Sequence, residues 1–133
     1  MAGAAGVHVG QDDLPVEAAR ALLGPDAIVG YSTHTVDQIA AAVTRPLSYI
    51  AVGPVFGTTT KATGYEAVGL DLVRDAVRRA AGRPVVGIGG ITLATARDVI
   101  AAGATSVAVI SDLLSGDPAS RVAAYLSALS LEP

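Results

Sequence analysis

The chain contains no cysteine. That removes disulfide frameworks, cysteine-ligated zinc, iron–sulfur clusters and thiol nucleophiles together. Only two histidines are present, which leaves little room for a histidine-rich metal site. Aromatic residues make up 4% of the chain, too few for a base-stacking surface, and the nine lysines and arginines are scattered rather than gathered on one face. No apolar run approaches the roughly 20 residues that a membrane helix needs. The segment Met1 to Gly6 has neither the basic start nor the long apolar stretch of a signal peptide. Charged residues are only 16% and apolar residues 51%, which excludes a disordered tail. These absences leave the expectation of one soluble, cytoplasmic domain. Its 133 residues can bury a core, its net charge is −3, and it handles a small molecule with no nucleic-acid or membrane partner.

What is present is an alternation of short Val/Ile-rich runs with Ala-rich helical stretches. Strands are predicted at Gly6–Gly10, Ile28–Tyr31, Tyr49–Gly53, Pro84–Ile88 and Ser106–Ile110. Helices are predicted at Pro15–Leu23, Thr35–Val43, Leu70–Ala81, Leu93–Ala102 and Pro118–Leu129. Thr35 is a natural N-cap, with Asp37 and Gln38 in the first turn behind it. In Leu70–Ala81, the residues Leu72, Val73, Ala76, Val77 and Ala80 share one face. A long polar loop, Pro54 to Val68, separates the third strand from that helix. The strands read as unbroken apolar runs, as parallel strands buried on both faces should. Five βα units fit either an open doubly wound sheet or part of a (β/α)8 barrel.

In both architectures chemistry collects at the carboxyl ends of the strands. The residues there are polar or glycine-rich. Gly89-Gly90 before a helix, with Ser111 after the next strand, has the spacing of a phosphate cradle, since glycine N–H groups and a helix N-terminus attract anions. The same Gly-Gly serves equally as a tight βα turn. Asp12 and Asp13 follow the first strand; a carboxylate there suits Mg²⁺, which takes one or two carboxylates and completes its shell with phosphates, and equally suits capping of the helix that Pro15 opens. Thr58-Thr59-Thr60-Lys61 offers three hydroxyls and an ammonium to an anionic ligand, or is an ordinary solvated loop. His34 can act in acid–base chemistry or orient a neighbour, though such a histidine is more often structural, whereas His8, inside a strand, reads as a satisfied core or barrel-interior residue. Glycines 87, 89 and 90 do not spell a dinucleotide-binding turn.

Five segments in order resemble the thiamine-phosphate synthase family: Gly6-Val-His-Val-Gly-Gln-Asp-Asp13, Gly30-Tyr-Ser-Thr-His-Thr35, Val52-Gly-Pro-Val-Phe-Gly-Thr-Thr-Thr-Lys61, Val86-Gly-Ile-Gly-Gly-Ile91 and Val107-Ala-Val-Ile-Ser111. Each is weak alone; together they are specific, and they cover nearly the whole chain. The resemblance implies a TIM (β/α)8 barrel, here a partial barrel of about five parallel βα units forming a single domain over residues 1–133. It implies a Mg²⁺-dependent transferase that joins hydroxymethylpyrimidine diphosphate to thiazole phosphate, giving thiamine phosphate and pyrophosphate. It implies Asp13 as a Mg²⁺ ligand and Ser32 and Lys61 as catalytic contacts to the pyrimidine diphosphate. Thr58, Thr59 and Thr60 with Gly90, Ile110 and Ser111 would hold the thiazole phosphate.

Three departures accompany the resemblance. The family's early Gln/Arg-rich diphosphate strand and its Asn-Asp strand, which carries the second Mg²⁺ carboxylate, have no counterpart, and Gly57 stands where the family has proline. The expectation is therefore an N-terminally truncated synthase, with unpaired edges at the strands of Val7 and Val107. Such a chain should be weakly stable and show little activity. It should need a missing N-terminal segment or association with a second copy. Two other functions stay open: a thiazole tautomerase-like isomerase, and a non-catalytic phosphate-binding remnant.

Overall fold

The computed structural model describes residues 3–57 and 64–130. Ten elements alternate: β1 (Gly6–Val9), α1 (Val16–Leu23), β2 (Ile28–Thr33), α2 (Val36–Ala42), β3 (Tyr49–Val52), α3 (Gly69–Arg79), β4 (Val85–Ile88), α4 (Ala96–Ala101), β5 (Ser106–Ala108) and α5 (Pro118–Leu129). All strands are parallel and lie in the order β1-β2-β3-β4-β5. A doubly wound sheet reverses its strand order at a switch point; this one never does, so every right-handed crossover lays its helix on the same side. The sheet is an arc of a (β/α) barrel.

Strand parity shows the two sides. Val9, Val29, Tyr31, Ile50, Val52 and Val85 point outward into one buried cluster with Val16, Ala19, Ile39, Ala42, Val73, Ala76, Ala96 and Val99 from the helices. The α3 face expected from its spacing is present: Val73, Ala76 and Ala80 are buried, and Leu72 and Val77 pack against them. Its opposite face carries the pairs Arg74–Asp71, Arg78–Asp75 and Arg79–Asp75. The alternate strand residues, His8, Gly30, Ser32, Tyr49 and Ile88 among them, point to the concave side. Burial on both faces, which the apolar runs suggested, is therefore not met. His8 is exposed and Ser32, Tyr49, Val86 and Ile88 are half-buried, because no element among the described residues covers the concave face.

Several boundaries differ from expectation, and three of them bear on the site. β2 runs two residues past Tyr31, because Ser32 and Thr33 pair with Ala51 and Val52 of β3. β5 stops at Ala108, so Ile110 and Ser111 stand in the loop beyond it. The fourth helix begins at Ala96 rather than Leu93. Residues 93–95 form a turn instead, in which the Thr92 carbonyl accepts from Thr95 N–H at 3.0 Å and Ala96 N–H at 2.9 Å. Thr35 does cap α2, accepting from Gln38 N–H at 3.2 Å. At the opposite end of the sheet Arg20 donates to the carbonyls of Ala27 (2.5 Å), Pro25 (3.0 Å) and Pro46 (3.1 Å), tying the end of α1 to the entries of β2 and β3. Among the described residues, β1 pairs only with β2 and β5 only with β4, and no helix is long and apolar enough to cross a membrane.

Candidate active site

The loops that leave the carboxyl ends of β1, β2, β3, β4 and β5 surround a cavity of about 510 Å³. Asp13, Ser32, Gly90, Ile110 and Ser111 all border it. Thr58, Thr59, Thr60 and Lys61 lie outside the described residues. The flanks of that segment do reach the rim, Phe56 accompanying Gly89 through an N–H to carbonyl bond of 3.1 Å and Tyr65 lining the cavity.

The β1 wall is held by its own polar atoms. Asp13 does not cap α1: the N-cap is Pro15, without a side-chain cap bond. Asp13 Oδ2 instead accepts from Gly10 N–H at 2.7 Å and so closes the loop on itself. Gln11 crosses to β2, donating to the Ser32 carbonyl at 2.6 Å and accepting from Tyr31 Oη at 3.0 Å. Asp12 and Asp13 both line the cavity. Among the described residues no three His, Asp or Glu groups gather, so an all-protein metal cage is not formed here. Asp12 and Asp13 are both carboxylates, the ligand type of which Mg²⁺ takes one or two before completing its shell with phosphate oxygens and water.

On the floor, His8, Gly30 and Tyr49 form one cross-strand row, His8 opposite Gly30 and Gly30 opposite Tyr49. A Cβ on Gly30 would fall 2.0 Å from Tyr49 Cζ, so the missing side chain is what lets the tyrosine ring lie across β2. His8 Nδ1 is 2.8 Å from Tyr49 Oη, and His8 Nε2 is 2.8 Å from Ser32 Oγ. Burial pushes the Tyr49 phenol up from its ordinary value, keeping it protonated. His8 is thus a satisfied barrel-interior residue, as expected, and also a cavity-lining one. Tyr49 was not singled out from sequence; the signal was its parity with Ser32 and His8 once a parallel register is drawn.

His34 does orient a neighbour. Its Nδ1 donates to the Gly53 carbonyl at 2.5 Å and its ring stacks on Tyr65 with centroids 3.8 Å apart.

The opposite wall is made by Gly89 and Gly90, with φ of 90° and 65°. A Cβ at Gly89 would meet Pro54 at 2.6 Å, and one at Gly90 would meet the Phe56 and Gly57 carbonyl oxygens at 2.6 and 2.5 Å. The turn therefore demands glycine on both counts, conformation and space. The helix beyond it starts at Ala96 and is six residues long, so this wall of the cavity is a loop rather than a helix end.

Asp112, next to Ser111, ties this wall together. Its Oδ2 accepts from Leu93 N–H at 3.1 Å, from Tyr125 Oη at 2.5 Å and from Arg121 Nη2. The Tyr125 hydrogen bond, with Arg121 and Leu93 behind it, holds the Asp112 carboxyl below its usual range despite partial burial, and burial with the same carboxylate pushes the Tyr125 phenol up. The Gly89–Gly90 loop and the Ile110–Ser111 loop are thereby fastened to each other and to α5.

The family described as thiamine monophosphate synthase matches residues 1–113. The thiamine-phosphate synthase of Koribacter versatilis (strain Ellin345) is 50% identical over 128 residues, covering 96% of this chain and 60% of that protein. That of Chloroflexus aurantiacus is 44% identical over 124 residues, 93% of this chain and 56% of the relative. The chain thus spans a little over half the length of these two relatives. Among solved structures, thiamine phosphate pyrophosphorylase from Pyrococcus furiosus superposes with a TM-score of 0.80 at 28% identity, over 95% of this chain and 61% of that one. A 3-hexulose-6-phosphate synthase, with TM-score 0.65 and 18% identity over 96% of this chain and 63% of that one, shares the fold. A family match over most of the chain, half-identical relatives and the same barrel arc agree: the chain belongs to the thiamine monophosphate synthase family.

Proposed function

We propose that this single domain forms part of the site of a cytoplasmic, Mg²⁺-dependent transferase of thiamine biosynthesis. The substrates are hydroxymethylpyrimidine diphosphate and thiazole phosphate, and the products are thiamine phosphate and pyrophosphate. The observation that carries the reading is the convergence of Asp13, Ser32, Gly90, Ile110 and Ser111, from four different strand tips, on one cavity.

The chemistry needs charge neutralisation more than a nucleophile. The bond between the pyrimidine methylene carbon and the diphosphate oxygen breaks heterolytically, and both electrons leave with the diphosphate. The pyrimidine ring stabilises the methylene cation until the thiazole nitrogen lone pair forms the new C–N bond; no proton is lost. A bound Mg²⁺ supplies positive charge to the departing diphosphate. Asp13, with Asp12 beside it, would hold that ion. The Ser32 hydroxyl and the Lys61 ammonium would donate to diphosphate oxygens, favouring the leaving group as its charge grows. Gly90, Ile110, Ser111 and the Thr58–Thr60 hydroxyls would seat the thiazole phosphate. The Gly-Gly turn, conformationally fixed and fastened through Asp112, supports that role because a preorganised loop costs no rearrangement when an anion arrives.

Titration of the chain with pyrimidine diphosphate plus Mg²⁺, and separately with thiazole phosphate, tests the reading. Both ligands should bind, the first only with Mg²⁺. Ser32→Ala should weaken the diphosphate about tenfold, the value of one hydrogen bond to a charged group. Adding both substrates and following thiamine phosphate and pyrophosphate reads the transfer itself. Failure to bind either ligand at saturating concentration, or isomerisation of the thiazole without Mg²⁺, overturns the proposal. Thiazole phosphate binding without any Mg²⁺-dependent binding of the pyrimidine diphosphate would leave only the non-catalytic remnant.

A further inference from the structure

We propose that His8 is a positioning residue that makes Ser32 a one-way donor into the cavity: Tyr49 donates to His8 Nδ1, His8 Nε2–H donates to Ser32 Oγ, and the Ser32 hydroxyl proton is thereby turned outward. The inference rests on Ser32 as an anion contact, the role given to it above, and adds what sets its polarity.

The row of three strands supplies the geometry. Gly30 lacks the side chain that would separate His8 from Tyr49, so the phenol spans β2 and reaches the imidazole at 2.8 Å. The second ring nitrogen faces Ser32 Oγ, also at 2.8 Å. A neutral imidazole has one donor nitrogen and one acceptor nitrogen, so the two bonds must run in the same sense. In one sense serine donates inward and its hydroxyl is lost to the cavity. In the other the half-buried phenol, which stays protonated, donates to the better acceptor, the Nδ1 lone pair, and the serine proton is released. Only the second leaves Ser32 able to meet an anionic oxygen. Gln11 holds the Ser32 carbonyl at 2.6 Å, so the backbone of this residue is fixed and the hydroxyl orientation is the remaining freedom.

The chain provides its own control. His34 Nδ1 faces the Gly53 carbonyl, which only accepts, so that ring carries its proton on Nδ1. The chain's two histidines should therefore show opposite tautomers in one long-range ¹H–¹⁵N spectrum of ¹⁵N-histidine-labelled protein, recorded at a pH where both rings are neutral. The expected result is Nε2–H for His8 and Nδ1–H for His34. Tyr49→Phe should move His8 toward a mixture and leave His34 unchanged. An Nδ1–H His8 in the unmodified chain, or a ring that stays doubly protonated, overturns the proposal.

The link to Ser32 is read with inorganic pyrophosphate and Mg²⁺ by calorimetry. Tyr49→Phe should weaken binding about threefold and Ser32→Ala about tenfold, and the double variant should bind no more weakly than Ser32→Ala, since a residue acting through another adds nothing once that partner is gone. Additive losses overturn the proposal. If Ser32→Ala leaves the affinity unchanged, the anion-contact role of Ser32 fails instead, and the tautomer spectra still decide whether the relay runs as stated.

Discussion

At the scale of single residues, two glycines make contrasting demands. A Cβ at Gly30 strikes the far end of the Tyr49 side chain, which can swing aside. A Cβ at Gly90 strikes two backbone carbonyls and must also adopt a φ of 65°. Gly90→Ala should therefore cost about 2 kcal/mol of stability and abolish phosphate binding, whereas Gly30→Ala should cost less than about 1 kcal/mol and act chiefly by freeing the Tyr49 ring from His8. Urea unfolding of both variants, with equal losses as the contrary outcome, checks this. Local residue chemistry was the most legible part of the sequence. Thr35 caps α2 as its hydroxyl and the following Asp-Gln predict, because capping involves only neighbours. Asp12 and Asp13 also look like caps, yet neither caps α1, because Pro15 occupies the N-cap position and Asp13 turns back to Gly10.

At the scale of elements, the loop-to-helix join at Asp112 decides more than its short span suggests. One carboxylate oxygen accepts from Leu93, Tyr125 and Arg121. It holds the Leu93 amide within a turn, which accounts for α4 beginning three residues later than the helical pattern of Leu93-Ala-Thr implies. No window of local sequence could reveal this, since donor and acceptor are 19 positions apart. Asp112→Ala should lower stability by about 2 kcal/mol through the unpaired Leu93 and Tyr125 donors. The pH dependence has a definite sign. The folded carboxyl is held below its ordinary value of 3.8, so its contribution is complete above that value and is lost as pH falls below it through the lowered folded one. Acid unfolding of Asp112→Asn followed by circular dichroism should show a shallower loss of stability below about pH 4 than the parent; parallel curves would remove Asp112 from the acid limb.

At the scale of the molecule, the alternation of runs left two architectures open, and the unreversed strand order chooses the barrel arc. The concave surface could not be anticipated from apolar composition: strands that read as doubly buried are covered on the helix side only, and the concave side is half-polar because it carries His8, Ser32 and Tyr49. Protection from exchange should follow this layout. Amides of β3, flanked by β2 and β4, should exchange slowest, and those of β1 and β5 fastest. Exchange in β1 and β5 as slow as in β3, measured by hydrogen–deuterium mass spectrometry, would mean that both outer strands are covered in solution by a second copy.

The tyrosine laid across β2 has an optical consequence. Tryptophan is absent and only four tyrosines are present, so ultraviolet emission comes from Tyr31, Tyr49, Tyr65 and Tyr125 alone. Two of these are in the core, while Tyr65 lines the cavity and Tyr49 is hydrogen-bonded to a residue that does. The molecule thus carries an intrinsic fluorophore beside its floor, and an anion that draws on Ser32 should register as a change in phenol brightness without any attached dye.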